Sequence, residues 1–162
     1  MTGRVLVVGL GNPDRGDDGA GAAVVERLIG GRVPDGVSLT TRADDLLAML
    51  GEWSGLDALI CVDAAASSGA PGRIHRFNLA DSTLPREFSA PASSHALGLA
   101  DALAMGKVLG LLPPAVIVFA IEGETFETGA AMSEAVESAI NEAADLVRAE
   151  LRRLRQTEHT DA

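Results

Sequence analysis

The chain has 162 residues, 47% of them hydrophobic and 3% aromatic, with a net charge of −10. That apolar content excludes a disordered chain, and the scarcity of rings leaves Ala, Val, Leu and Ile to build the core. Residues 1–147 carry 9 basic and 20 acidic side chains, which removes the electrostatic footprint for nucleic acid and for an anionic membrane surface.

Val5–Leu10 is a continuous β-branched and Leu run, the pattern of a strand buried on both faces. It is too short for a signal-peptide core. Residues 11–16 are dense in turn formers, and Asp17 or Asp18 is placed to cap a helix running to about Ile29. Val37–Thr41 reads as a second strand. A short helix over 44–51 follows, with Leu46, Leu47 and Leu50 inward. Ala58–Val62 is a third strand that delivers Asp63 to its carboxyl end, and strand alternation sets Cys61 on the face of Asp63. Gly72–Phe77, with Arg73, His75 and Arg76 among its apolar residues, reads as an edge strand.

Residues 78–94 have no period and form a long loop. His95–Leu109 returns to helical spacing, with Leu97, Ala100, Met105 and Val108 as its stripe, and Pro113-Pro114 ends it. Ala115–Ile121 is the fifth strand. The last helix runs from an N-cap at Ser133 to about Leu154 on the stripe Val136, Ile140, Ala143, Val147, Leu151 and Leu154. The alternation of strands and helices predicts one α/β domain over 1–155. It would be a three-layer α/β/α fold with a mostly parallel, roughly five-stranded sheet, followed by a disordered tail over 156–162. The single cysteine precludes an intrachain disulfide and suits a reducing compartment, so the expected location is the cytoplasm.

In open α/β sheets, ligands bind beyond the carboxyl ends of the strands. Three polar features fall there: the loop from Gly9 to Gly21, Asp63, and His95 after the long loop. Gly9-x-Gly11 invites a dinucleotide reading. The third glycine of that fingerprint falls on Asp14, however, and Asp14, Asp17 and Asp18 repel a pyrophosphate. Arg42, after the second strand, is placed to meet a 2′-phosphate but has no supporting feature. Gly-Leu-Gly-Asn-Pro also opens peptidyl-tRNA hydrolases, yet no His precedes His75 here and the acidic body is wrong for tRNA. The third reading joins Asp18, Asp63 and His95. Two carboxylates and an imidazole suit a borderline divalent ion such as nickel or zinc, with positions left open. Each residue also has a plainer role: a cap for Asp18, a loop anchor for Asp63, a carbonyl partner for His95.

Four segments in order carry a resemblance: Gly9 to Gly21 (GLGNPDRGDDGAG), Val62-Asp63-Ala64, Ser94–Leu99 (SHALGL) and Glu124–Gly129 (ETFETG). Together they resemble the hydrogenase maturation endopeptidases, over roughly residues 4–151. The resemblance implies a cytoplasmic endopeptidase that removes a C-terminal peptide from the nickel-loaded precursor of a [NiFe]-hydrogenase large subunit. It implies nickel brought by that precursor, no organic cofactor, and metal contact through Asp18, Asp63 and His95. Some members carry Glu where Asp18 stands, and some carry Asp-Gly-Gly where this chain has Thr41-Arg42-Ala43. Ser93 and Ser94 abut His95 but adjacent side chains make a poor nucleophile–base pair, so hydrolysis is expected to use metal-activated water with Asp18 or Asp63 as base. Gly11, Asn12 and Asp17 are expected to shape the loop. Gly98 either admits substrate backbone or relieves helix packing. The alternative is a non-catalytic docking or chaperone factor for hydrogenase assembly using the same three residues.

Overall fold

A computed structural model describes residues 3–80, 82–88 and 98–160, with side chains through 156. Its strands are β1 (Val5–Leu10), β2 (Val37–Arg42), β3 (Ala58–Ala65), β4 (Ile74–Asn78) and β5 (Ala115–Glu122). They form one sheet in the order β2-β1-β3-β5-β4. The first four members of that order run parallel, and β4 closes the edge antiparallel to β5. The helices are α1 (Ala20–Ile29), α2 (Leu46–Met49), α3 (Leu99–Val108) and α4 (Glu134–Thr160). The three-layer α/β/α expectation holds, with one antiparallel edge.

Alternation along the strands divides the core in two. Val7, Ile60, Val62, Ile117, Phe119 and Ile121 face α1 and α4. Leu6, Val8, Leu59, Cys61, Val116 and Val118 face α2, α3 and the turn Leu50–Trp53. Each such aliphatic side chain contributes about 1.5–3 kcal/mol on burial. The α4 stripe Val136, Ile140, Ala143, Val147 and Leu151 is buried as its spacing predicts. On the second face, Trp53 is buried and packs against α3 at Gly106.

Two helices differ from the sequence reading in phase. On α3 the buried residues are Leu99, Ala102, Leu103 and Gly106, whereas Met105 and Val108 are exposed. That segment is apolar nearly all round, so its period does not single out a face, and the Trp53 ring decides it at Gly106. On α2 Leu46 packs inward, as does Leu50 in the turn that follows, but Leu47 is 48% exposed. Asp45 caps this helix, its carboxylate accepting from Ala48 N–H at 3.4 Å. α4 continues to Thr160, past the expected boundary at 155. Its Glu150 is buried and takes a two-pronged bond from Arg76 of β4, at 2.9 and 2.9 Å. That bond to Glu150, opposed by partial burial and aided by the carboxylate's charge, raises the Arg76 pKa.

Candidate active site

The described residues contain five buried acidic side chains: Asp17, Asp18, Asp63, Glu122 and Glu150. The first four lie at the carboxyl edge of the parallel strands.

The loop after β1 explains how two of them get there. Gly11 N–H donates to Arg42 O at 3.0 Å, so the chain leaves β1 still tied to the end of β2. Gly11 has φ +112°, and a side chain there would collide with the Asp18 carbonyl. Asn12 then builds a turn: its Oδ1 accepts from Asp14 N–H at 2.9 Å, and its carbonyl accepts from Arg15 N–H at 3.1 Å. A 3-10 turn over Gly16–Gly19 follows and packs against β3. Gly21, in the first turn of α1, lies so close to the sheet that an added methyl would stand 2.6 Å from Leu10 N and would strike the Val62 carbonyl. The glycine pattern of this loop therefore serves helix-on-strand contact.

Neither Asp17 nor Asp18 caps α1, contrary to the sequence reading; Gly19 stands at the N-cap with no side-chain bond. The carboxylates are drawn elsewhere. Asp17 is fully buried and faces four donors: Glu124 N–H at 2.7 Å, Thr125 N–H at 3.1 Å, Ser133 N–H at 2.7 Å and Ser133 O–H at 2.8 Å. Ser133 also accepts from Val136 N–H at 3.4 Å at the start of α4. Asp17 thus joins the first loop to the segment Glu124–Gly129 and to the head of α4. Asp18 Oδ2 accepts from Asn12 N–H at 2.8 Å and lies 3.6 Å from Arg15 Nη1.

Asp63 sits on β3 in register with Ala120 of β5, and its Oδ1 accepts from Ala64 N–H at 2.9 Å. Below it, Cys61 is fully buried within the α2–α3 core. Burial first, and the charge of Asp63 second, push the Cys61 thiol far above its ordinary pKa. This is a packing thiol. Gly98 is the N-cap of α3 in extended conformation, its N–H 3.5 Å from Asp101 Oδ2. His95, Ser93 and Ser94 lie outside the described residues. Asp18 and Asp63 are therefore brought to one edge by the turn-on-strand contact, and the third expected member is not placed. Among the described residues, no three His, Cys, Asp or Glu groups form a metal cluster. Arg42, the residue placed to meet a 2′-phosphate, pairs with Glu52.

A second polar group at this edge was not singled out from sequence. Glu122, 1% exposed at the end of β5, accepts from Ser68 N–H and Ser68 O–H, each at 2.8 Å, and from His75 Nε2 at 2.8 Å. The His75 bond and the two Ser68 bonds outweigh the cost of burial and hold the Glu122 carboxyl down at about 2. His75 in turn packs on Phe88, ring centres 4.8 Å apart, and Phe88 on Phe77 at 4.7 Å. Glu122 lies 54 residues from Ser68 and 47 from His75 in the chain, and by itself looks like the polar end of an apolar run. Only strand register makes the group visible.

Comparison with known proteins gives one consistent answer. Residues 35–150 match the family model described as HycI, hydrogenase maturation protease. The hydrogenase 2 maturation protease of Escherichia coli strain K12 is 32% identical over 151 residues, which is 92% of this chain and 91% of that protein. The solved structure of the hydrogenase maturating endopeptidase HybD from E. coli superposes with a TM-score of 0.80 at 31% identity, covering 93% of both chains. The [NiFe] hydrogenase maturation protease HycI from Thermococcus kodakarensis KOD1 has the same fold, with a TM-score of 0.71 at 20% identity and 92% of each chain covered.

Proposed function

The chain belongs to the hydrogenase maturation protease family, and from that premise we propose that it removes a C-terminal peptide from the nickel-loaded precursor of a [NiFe]-hydrogenase large subunit. The observation that carries this reading is the seating of the Asp18 turn against β3, whose carboxyl end bears Asp63. Both carboxylates are buried, Asp18 at 5% and Asp63 at 4% exposure. Burying a carboxylate is costly unless hydrogen-bond donors or a cation compensate its charge, so two of them at one strand edge suit a site that receives a cation. Asp18 spends one oxygen on Asn12 N–H and the nearby Arg15, and its Oδ1 makes no hydrogen bond among the described residues. With His95, the donor set is two oxygens and one imidazole nitrogen, a fit for nickel arriving on the substrate.

In this reading nickel is part of what the protease recognises, and it supplies polarisation of the scissile carbonyl. The protein's own contribution is placement. Asn12 fixes Asp18 through the turn, Asp17 locks that turn to the 124–133 segment, and β3 holds Asp63 in a hydrogen-bonded ladder. Specificity comes from the precursor's shape and its metal, which suits a small domain whose apolar residues are taken up by two cores.

Cleavage tests this. Incubation with nickel-loaded precursor is expected to shorten it by one C-terminal peptide, read by mass, while nickel-free precursor stays intact. Asp63→Ala and His95→Ala are each expected to abolish the shortening with the melting profile retained. Normal processing by both variants would overturn the site. Tight binding of the precursor without shortening would make the chain a docking factor instead.

A further inference from the structure

We propose that Glu122 is a positioning residue for cleavage, a brace that sets the carboxyl edge on which Asp63 stands. The inference rests on the function proposed above and names a residue outside its site.

Asp63 on β3, Ala120 on β5 and His75 on β4 occupy one rung across the sheet. Paired residues share a face, so Asp63 and His75 stand on the same side, about 10 Å apart at two strand spacings, with an alanine between them. Two rungs further on, and so on the same face, Ala65 is paired with Glu122. The Glu122 carboxylate reaches in two directions from there. One oxygen takes both the N–H and the O–H of Ser68, in the loop that leaves β3 five residues after Asp63. The other takes Nε2 of His75. The Glu122 backbone adds two bonds, accepting from Gly72 N–H at 2.7 Å and donating to Arg73 O at 2.9 Å. One residue therefore fastens both ends of the β3–β4 connection.

The brace also reaches the other flank. An ionised carboxylate only accepts hydrogen bonds, so Nε2 of His75 carries the proton and the imidazole plane is fixed. That ring is the platform for Phe88, and the 3-10 turn carrying Phe88 packs against β3 and α3. The charged partner of His75 is Glu122 on β5; Asp63 stands on the same rung two strands away on β3, and Arg86, on the turn of Phe88, is committed to Asp101 at 2.9 Å. An alternative use for Glu122 as a base or metal group is disfavoured by its three donors, which leave it little capacity for a fourth partner.

Misplacing reacting groups by about 1 Å costs about 100-fold in rate, and it does so in turnover rather than in binding. The experiment is steady-state cleavage of nickel-loaded precursor, with rates normalised to folded protein by circular dichroism. Glu122→Ala is expected to lower kcat about 100-fold, with KM for the precursor changed by no more than about twofold. Glu122→Gln, which still offers Ser68 an acceptor oxygen, is expected to recover about tenfold of that loss. His75→Phe, which keeps the stack on Phe88, is expected to cleave faster than His75→Ala. If Glu122→Ala turns over at the wild-type rate, or loses rate through KM alone, the brace is wrong. If wild-type protein cleaves nothing, the proposed function fails and takes this inference with it. A cleaving wild type beside an equally active Glu122→Ala sinks this inference alone.

Discussion

The two faces of the sheet solve the same burial problem with different materials. On the α1–α4 face, glycine lets a helix touch the strands, and a long regular stripe covers the rest. On the α2–α3 face, a one-turn helix, 3-10 turns and a ten-residue helix do the covering, and Leu47, Met105, Val108 and Leu109 remain exposed, against Ile29 and Leu146 on the helices of the first. Asp63, His75 and Glu122 stand on this second face by strand alternation. The stiff face fixes the strands; the looser face carries the polar groups that need room around them.

The contrast is most open to attack at Asp17, which ties the stiff side to the loop of Asp18. Asp17→Ala strands four donors and is expected to cost about 3–5 kcal/mol in denaturant unfolding, because each buried donor left unpaired costs about 1–3 kcal/mol and the loop recovers part of that in water. A loss under about 1 kcal/mol would mean the loop is not held by this carboxylate. Gly21→Ala comes next, at about 2–3 kcal/mol, since the methyl meets backbone that cannot yield. Its counterpart on the loose face is Gly51→Ala, where nothing lies within 4 Å of the new methyl. There the change is expected to stay within about 0.5 kcal/mol. Equal costs at the two glycines would erase the distinction between the faces.

Acid sharpens it further. The Glu122 pKa is depressed to about 2 in the folded chain, against about 4.3 for a free glutamate. Its stabilising contribution is complete above the unfolded value and is lost as pH falls from about 4.3 toward 2. The stability advantage of wild type over Glu122→Gln should therefore narrow across that interval in chemical unfolding at stepped pH. An advantage that widens there would reverse the sign and reject the ionised brace. The smallest effect is expected at Val108→Ser, 86% exposed on α3, with unfolding free energy changed by no more than about 0.5 kcal/mol.

Much of the fold is legible because its apolar runs are unbroken. Val5–Leu10 coincides with β1, and the α4 stripe is buried residue for residue as far as Leu151. What escaped the pattern lies where polar residues continue a ladder. β3 runs on through Asp63 to Ala65, and β5 through Ile121 to Glu122, because backbone pairing does not require an apolar side chain. The phase of α3 was hidden by having apolar residues on every side. Asp17 looked like a helix cap, and its true partners are 107 to 116 residues away. Sequence placed Asp18 and Asp63 at one sheet edge; it gave no sign that His75 and Glu122 meet beside them.

Trp53, already met as the ring that sets the phase of α3, has one more consequence. It is the single tryptophan of a chain without tyrosine, so the ultraviolet emission of the whole protein comes from one buried point between α2 and α3. Its indole Nε1 has no hydrogen-bond partner among the described residues, which leaves the excited dipole little to relax against and sets the emission toward the blue. Precursor docking that loosens or tightens this face would shift the colour and intensity of that light, while the α1–α4 side stays dark throughout.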